Sequence, residues 1–455
     1  MSSKVTLTIT EGNLKGQKFT FDTRTTRIIG RATDCDPQIP DDENHRTISR
    51  YHCLLDINPP DIRVRDFGSK NGTFVNGKKI GQRAANQTPE EAAKLSFPEV
   101  DLKTGDEIKL SHTIFQVKTE IDPELEKTLK PEIPLNQQKK PDLLAMIQGF
   151  LQQLAAGNQN LGTIKNYKIL RELGRGGFNI VYLAQHKQTG EQVALKVMLP
   201  QAAANQRAIN WFMREIDNTK YLRHPNVIQL KDSGNAEGVF FFTMEYCNNG
   251  SIADLMVKSN NKILPLNEAV PMILQVLDGL EYAHNAEIPN VKLADGSFGK
   301  GRGLVHRDLK PGNIFVTNIN GKNIVKVADY GLGKAFDQAG LSGLTNTGNT
   351  AGTPYFMPRQ QVLDFKYAQP AVDVWAAAAS LYYMLTANAP RNFSGQDPFL
   401  AVLQSDAVPV RDRNSAIPKP LADAIDLALV DNPEIYFKSA AEFKQALLKN
   451  CPQFV

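Results

Sequence analysis

The sequence predicts two folded units of different class on one chain, an all-β sandwich followed by a bilobal α+β domain. Three observations carry the expectation. At 455 residues the chain is too long for one ordinary domain. Over residues 1–118, apolar positions alternate with polar ones in short runs that are separated by Gly, Asn, Asp and Pro clusters, as in strands with one face in a core. Over residues 165–450, strand-like runs up to about 247 give way to helical periodicity, so a small lobe (165–247) precedes a larger helical lobe (248–450).

Bulk properties exclude several classes. With 42% hydrophobic and 22% charged residues the composition is that of a globular protein, and a net charge of +4 makes no electrostatic case for nucleic acid or an anionic membrane. The four cysteines, at 35, 53, 247 and 451, have neither zinc-ligand spacing nor disulfide density, so buried free thiols in a reducing cytoplasm are expected. No apolar leader follows Met1, and no run approaches the roughly 18 apolar residues of a membrane span, so a soluble protein is expected. Nothing in the residues sets an oligomeric state.

In the first unit, Val5, Leu7 and Ile9 alternate with Thr6, Thr8 and Thr10, and Phe19/Phe21, Ile62/Val64 and Phe115/Val117 repeat the pattern. Gln82 to Lys103 reads as an insert between two strands, helical only over Pro89 to Leu95. The loops hold the polar groups: Gly30-Arg31, Ser49-Arg50-Tyr51-His52, Ser69-Lys70-Asn71-Gly72-Thr73 and Asn76-Gly77. A sandwich gathers its loops at one end, where Arg31, Ser49, Arg50 and Lys70 offer the charged and hydroxyl donors that suit a phosphate dianion. Taken singly, the Asn-Gly pairs are turn chemistry, Arg31 a solvated charge and His52 a structural histidine. In this order and spacing they resemble the forkhead-associated (FHA) domain, a phosphothreonine-reading module. The resemblance implies Arg31 and Ser49 on the phosphate, Arg50 and Lys70 beside it, Asn71 on the peptide main chain and His52 bracing the loop.

Residues 119–164 read as a linker, rich in Glu, Lys, Pro and Gln as far as Pro141. Leu143, Ile147, Phe150, Leu151 and Leu154 then form one apolar stripe, which predicts an amphipathic helix near 142–156. A lone helix of this length needs a surface to dock on. Packing on the following domain, a dimer contact and a regulatory latch all fit.

The second unit opens with Tyr167 to Leu173 and the glycine turn Gly174-Arg175-Gly176-Gly177-Phe178-Asn179-Ile180-Val181, where backbone amides can approach phosphates with no Cβ in the way. Val193-Ala194-Leu195-Lys196 is a strand ending in a lysine, and a helical stretch holds Glu215. Val239 to Phe242 is a buried-strand run, followed by Met244-Glu245-Tyr246-Cys247. His306-Arg307-Asp308-Leu309-Lys310-Pro311-Gly312-Asn313 follows an apolar lead-in, Leu304-Val305, that suggests a short strand. Pro311-Gly312 makes a tight loop that throws the polar groups to one side, and Val325 to Gly331 is a strand that delivers Asp329 onto a glycine turn.

These motifs together resemble the protein-kinase superfamily, in particular bacterial eukaryotic-like Ser/Thr protein kinases. The resemblance implies ATP and Mg²⁺, or Mn²⁺ in its place. Gly174, Gly176, Gly177, Val181 and Ala194 would lie around the nucleotide, and Glu245 and Cys247 would form the adenine-holding hinge. Lys196, paired with Glu215, would hold the α- and β-phosphates, and Asp308 would take the acceptor's hydroxyl proton. Lys310 would steady the γ-phosphate, with Asn313 and Asp329 on the metal and Asp373 beneath the loop. Thr345 and Thr347 match an autophosphorylated doublet, with Arg307 a partner for the added phosphate.

Several features depart from the pattern. Asn179 replaces the third loop glycine and is expected to serve because Asn tolerates left-handed backbone. Tyr330 stands for Phe. Phe356-Met357-Pro358-Arg359-Gln360 stands where Ala-Pro-Glu is usual, and Tyr436 where the arginine that pairs with the Glu is usual, so uncharged packing is expected there. Asn285 to Arg302 is a polar insert. The expected function is a Ser/Thr protein kinase acting on protein substrates, with a phosphothreonine reader engaging substrates, partners or a second copy. The alternative is a catalytically inactive kinase-fold scaffold that reads phosphothreonine, which intact Lys196, Asp308, Asn313 and Asp329 disfavour.

Overall fold

The computed structural model describes residues 3–22, 25–33, 35–84, 87, 97–120, 166–175, 179–198, 216, 219–236, 239–292, 298–330, 354–363, 368–394 and 398–454. The helix expected near 142–156, the Pro89 to Leu95 stretch, Gly176, Gly177, Glu215, Thr345 and Thr347 lie outside the described residues.

Alternating apolar residues build the first unit as two packed antiparallel sheets. The strands are β1 (Lys4–Glu11), β2 (Lys18–Phe21), β3 (Thr25–Ile29), β4 (Cys53–Asn58), β5 (Asp61–Asp66), β6 (Thr73–Val75), β7 (Lys78–Gly81), β8 (Val100–Leu102), β9 (Glu107–Leu110) and β10 (Thr113–Glu120). One sheet runs β2-β1-β10-β9-β6-β7 and the other β3-β4-β5-β8. Register places Leu7 opposite Val117 and Ile9 opposite Phe115, and all four are buried in the core between the sheets. The stretch read as an insert contains β8, which pairs with β5 through Ile62 and Leu102. At three residues it is too short to show a period.

The small lobe of the second unit is a five-stranded sheet, β11 (Tyr167–Arg175), β12 (Asn179–His186), β13 (Gln192–Met198), β14 (Leu230–Ala236) and β15 (Val239–Glu245), in the order β11-β12-β13-β15-β14. Asn179 opens β12 in strand pairing with Met198, so its tolerance of left-handed backbone is not used.

The large lobe holds α1 (Ile252–Lys258), α2 (Leu266–Asn285), α3 (Arg359–Leu363), α4 (Ala371–Thr386), α5 (Pro398–Gln404), α6 (Val410–Arg413), α7 (Lys419–Ala428) and α8 (Ala440–Asn450). It also holds two hairpins, β16 (Glu287–Lys292) with β17 (Phe298–Arg302) and β18 (Ile314–Ile319) with β19 (Lys322–Val327). The polar insert is therefore the first hairpin. Helix α4 is buried on nearly every side and forms the centre against which α2, α7 and α8 pack, as expected of a helix that is apolar all round. Leu304 and Val305 are not a strand. They pack on this core in irregular chain, tied by Leu304 N–H to Ala283 O at 2.9 Å. All four cysteines are buried free thiols.

The expectation of uncharged packing at Arg359 is overturned. Arg359 is buried and donates from Nη1 to Asp431 Oδ1 at 2.6 Å and from its backbone N–H to Oδ2 at 2.8 Å. Arg391 donates to the same carboxylate and to Met357 O, and its guanidinium lies 4.7 Å from the centre of the Trp375 ring. Tyr436 is exposed at the surface. The ion pair persists with its charges exchanged, arginine on α3 and carboxylate on the distal loop. Breaking a buried pair strands a charge, so D431N is expected to cost about 3–5 kcal/mol. Thermal or urea unfolding of the full chain checks this, and an unchanged midpoint would refute it.

Candidate functional site

Two sites emerge, one at the loop end of the sandwich and one between the lobes. In the first, β3 runs into Gly30, where a Cβ would sit 2.0 Å from Arg50 O. Only glycine admits this approach. It lets Arg31 N–H donate to Ser49 O (3.2 Å) and Ala32 N–H to Arg50 O (3.0 Å), which ties the two loops together. Arg31 is half-buried, with Nε donating to Ile48 O at 2.6 Å and the guanidinium paired to Asp41. Arg50 and Lys70 are exposed, and Lys70 N–H donates to Ser49 Oγ at 3.0 Å. Asn71 Nδ2 donates to Thr47 O at 2.6 Å. Four side chains of donor character and one amide thus surround one rim.

His52, buried beneath that rim, accepts from Ser49 N–H at Nδ1 (3.0 Å) and donates from Nε2 to Gly72 O (3.2 Å). These partners require the neutral Nε2–H tautomer. Asp66 is the residue the sequence reading missed. Its buried carboxylate accepts from Gly68 N–H, Ser69 N–H, Ser69 Oγ and Thr73 Oγ1, which sets the loop that carries Lys70 and Asn71. Its signal is an Asp two residues before Gly-Ser, an Asx-turn pattern.

The second site is assembled by the β18/β19 hairpin. Ile314 pairs with Val327, and Asn313 O accepts from Ala328 N–H at 2.9 Å, so Asn313 and Asp329 stand at the open end of one ladder. Lys196, carried on β13 and buried, places Nζ 2.8 Å from Asp329 Oδ2 and so bridges the lobes. Asp329 Oδ1 is buried with no hydrogen-bond partner among the described residues. An orphaned carboxylate oxygen beside an amide side chain fits a hard cation. Among the described residues no three His, Cys, Asp or Glu side chains form a metal cluster.

Asp308 is held from two sides. Lys310 Nζ donates to both carboxylate oxygens at 2.8 and 2.9 Å, and Asn313 Nδ2 donates to Asp308 O at 2.8 Å and Oδ2 at 3.1 Å. Beneath lies Asp373, almost wholly buried. It accepts from His306 N–H (2.7 Å), Arg307 N–H (2.8 Å) and His284 Nε2 (2.7 Å). Burial alone would push the Asp373 carboxyl up, but the bond and charge of His284 and then the His306 contacts hold it below the usual 3.8. His306 Nε2 donates to Ala328 O at 2.7 Å and connects the loop to the Asp329 strand. Arg307 and Asp329 both have positive φ, 66° and 63°, a conformation worth about 1–3 kcal/mol of strain that this network maintains. Tyr330 uses its extra hydroxyl to donate to Gly279 O of α2 at 3.3 Å.

Val181 and Ala194 join Leu173, Met244, Cys247 and Phe315 in one apolar cluster under β11 to β13, a wall set suited to a flat ring, and the sequence reading missed Leu173 and Phe315. Among the described residues a Cβ at Gly174 would meet no atom within 4 Å, so packing against them does not explain that glycine. Glu245 N–H is spent on Gln229 O at 3.0 Å and its carboxylate on Lys326 at 3.0 Å, while burial pushes the Cys247 thiol up to about 12. Neither side chain has chemistry to offer.

A family model for the protein kinase domain matches residues 167–434, and one for the FHA domain matches residues 27–111. The chain belongs to the protein kinase family, with an FHA domain ahead of the kinase domain. Membership implies use of ATP and a divalent metal. Similar relatives include a probable serine/threonine-protein kinase, CPE1738, of Clostridium perfringens, 27% identical over 279 residues that cover 61% of this chain and 37% of the relative. Serine/threonine-protein kinase PknF of Mycobacterium tuberculosis is 28% identical over 288 residues, 63% of this chain and 56% of PknF. Serine/threonine-protein kinase cds1 of Schizosaccharomyces pombe is 30% identical over 277 residues, 59% and 55% of the two chains. The chain thus spans between 37% and 56% of the length of these relatives.

His52 gives the reader loops a pH dependence. Burial holds the imidazole below the ordinary 6.5, against the pull of Asp66. A depressed histidine contributes stability above its unfolded value and loses it as pH falls through the folded one, when Nδ1 is protonated and can no longer accept from Ser49 N–H. Melting of the full chain should therefore show a component that weakens below about pH 6.5. That component should flatten in H52N, whose side-chain oxygen can accept at any pH. Identical pH profiles for the two proteins would contradict this role.

Proposed function

We propose that this chain is an ATP-dependent protein serine/threonine kinase whose FHA domain binds phosphothreonine. The observation that supports it is one continuous frame of bonds, from Lys196 to Asp329, across Asn313 and Ala328, to Asp308 and Lys310. Bound ATP with its metal supplies the phosphoryl group and the charge that makes it transferable. Lys196 neutralises the phosphates that do not move, and Asp329 Oδ1 with the side-chain oxygen of Asn313 would hold Mg²⁺. Asp308, held by Lys310 and Asn313, orients the acceptor hydroxyl and takes its proton, while Lys310 is positioned to follow the negative charge of the moving phosphoryl group. Catalysis of this kind is mainly positioning and electrostatics, which suits a loop fixed by a buried carboxylate.

A serine or threonine acceptor is supported by Lys310 and by the activity in the names of the relatives. Thr345 and Thr347 are the proposed autophosphorylation sites. The resulting phosphate would be received by Arg307, whose main chain is pinned by Asp373 and by Gln361 Nε2 at 2.6 Å. In the FHA domain, a phosphothreonine would take Arg31 from Asp41, with Ser49, Arg50 and Lys70 completing the donor set and Asn71 on the peptide backbone.

Incubation of the purified chain with Mg²⁺ and γ-labelled ATP tests the enzyme, with mapping of the labelled residues. D308N is expected to lower kcat by about 10²–10⁴-fold with little change in nucleotide affinity. Absence of label in the native protein while ATP is bound would reject the kinase reading. R31A is expected to abolish preference for a phosphothreonine peptide over its unphosphorylated form, and equal binding of both by the native chain would reject the reader.

A further inference from the structure

The four-stranded sheet of the FHA domain is apolar on both faces. Ile29 and Leu55 enter the sandwich core, so Ile28 and Leu54, their neighbours along β3 and β4, face outward, yet both are buried. With Phe67 they pack against Met357, Val362 and Leu403 of the large lobe. Arg27 Nη1 donates to Leu363 O at 3.1 Å, and the Arg65 guanidinium lies 5.7 Å from the centre of the Phe399 ring. An outward face of this kind left in water would be a contiguous apolar patch, and α3 and α5 cover it.

The position of this contact matters more than its composition. On the FHA side it reaches the phosphate loops, because Ala32, which follows Arg31, belongs to the buried cluster and Tyr51, which follows Arg50, packs against it. On the kinase side it reaches the Pro354–Phe356 turn and, through α3, the catalytic loop. Phe393 of the cluster packs on Tyr355 at 4.4 Å, and Met357 follows the Pro354–Phe356 turn. Helix α3 meets β3 through Leu363 and the residue before Asp308 through Gln361, which is buried and donates to Arg307 O at 2.6 Å. The reader's loops and the catalytic loop thus share one short helix as a common wall.

We propose that the FHA domain and the large lobe form a single composite substrate surface, so that the kinase selects acceptors on polypeptides that already carry a phosphothreonine at a set spacing from the acceptor. This rests on the kinase and reader assignments above. A reader joined only through a tether raises the local concentration of acceptor over a broad range of spacings. A docked reader imposes a ruler. Extended peptide advances about 3.3–3.6 Å per residue, so two residues of spacer move the acceptor hydroxyl by roughly 7 Å, far more than in-line transfer tolerates.

The test uses the full chain and synthetic peptides that hold one phosphothreonine and one serine acceptor, separated by about two to twenty residues, each beside its unphosphorylated counterpart. The expected result is a preference in kcat/KM of about tenfold or more for the primed peptide, confined to a narrow window of spacer lengths. R31A removes the preference, and so does F399K, which sets a like charge against Arg65 in the contact and lies outside both sites. F399K retains turnover of unprimed peptide and retains phosphopeptide affinity measured by fluorescence anisotropy, so lost docking is separated from lost folding. L54K, on the opposite side of the contact, is expected to reproduce F399K. Equal kcat/KM for primed and unprimed peptides at every spacing overturns the proposal, as does a broad preference indifferent to F399K. No turnover of any peptide, with ATP bound, overturns the kinase reading itself and the proposal with it.

Discussion

The buried carboxylate of Asp373 is the point on which the catalytic geometry hangs. Two successive amides, those of His306 and Arg307, end on its two oxygens, and His284 closes the set from α2. Two consecutive N–H groups converge on one carboxylate only where the chain is not extended between them, and it turns again directly afterwards at Arg307, whose φ is positive. Everything downstream inherits that turn. It presents Asp308 upward, aims His306 at Ala328 O, and so sets the distance between the catalytic loop and the strand that carries Asp329. Because α4 is enclosed by the core of the large lobe, the position of Asp373 is as fixed as any atom in the protein.

The same logic recurs in the FHA domain with different residues. Asp66 gathers four donors from the loop after β5, and His52 joins that loop to the one that carries Ser49. In both units the residues expected to meet ligand are held by a buried polar group one layer below, which makes no approach to the ligand itself. Such groups add specificity of shape at a desolvation cost that only complete hydrogen bonding offsets.

Much of this was readable from the sequence, and the failures have identifiable physical causes. Strands such as β1 announce themselves because each alternate side chain enters a core, and the catalytic loop is legible because its groups are contiguous in the chain. Strand β8 was missed because three residues in a polar stretch show no period. Leu304 and Val305 misled because two apolar residues fit a strand or a packed coil equally well. Asp431 and Arg391 were invisible as partners, since a charged residue in sequence gives no sign that tertiary folding will bury it against another. The doublets Ile28-Ile29 and Leu54-Leu55 did carry a signal of burial on both faces, against a strict alternation, and it points straight at the contact with the large lobe.

The exchanged ion pair at Arg359 has a consequence for how this chain can vary. Arg359 and Arg391 share Asp431, while Met357 O and Leu403 O take further donors from the same two arginines. Restoring the more familiar polarity by Arg359→Glu alone would bring a second carboxylate against Asp431 in a nearly dry site, and altering Asp431 alone would leave two guanidinium groups near one another with only the exposed Asp406 beside Arg359. Exchanging the polarity therefore takes at least two coordinated replacements. A change at the exposed Tyr436 meets none of these bonds, whereas a change at any of the three buried charges disturbs the other two.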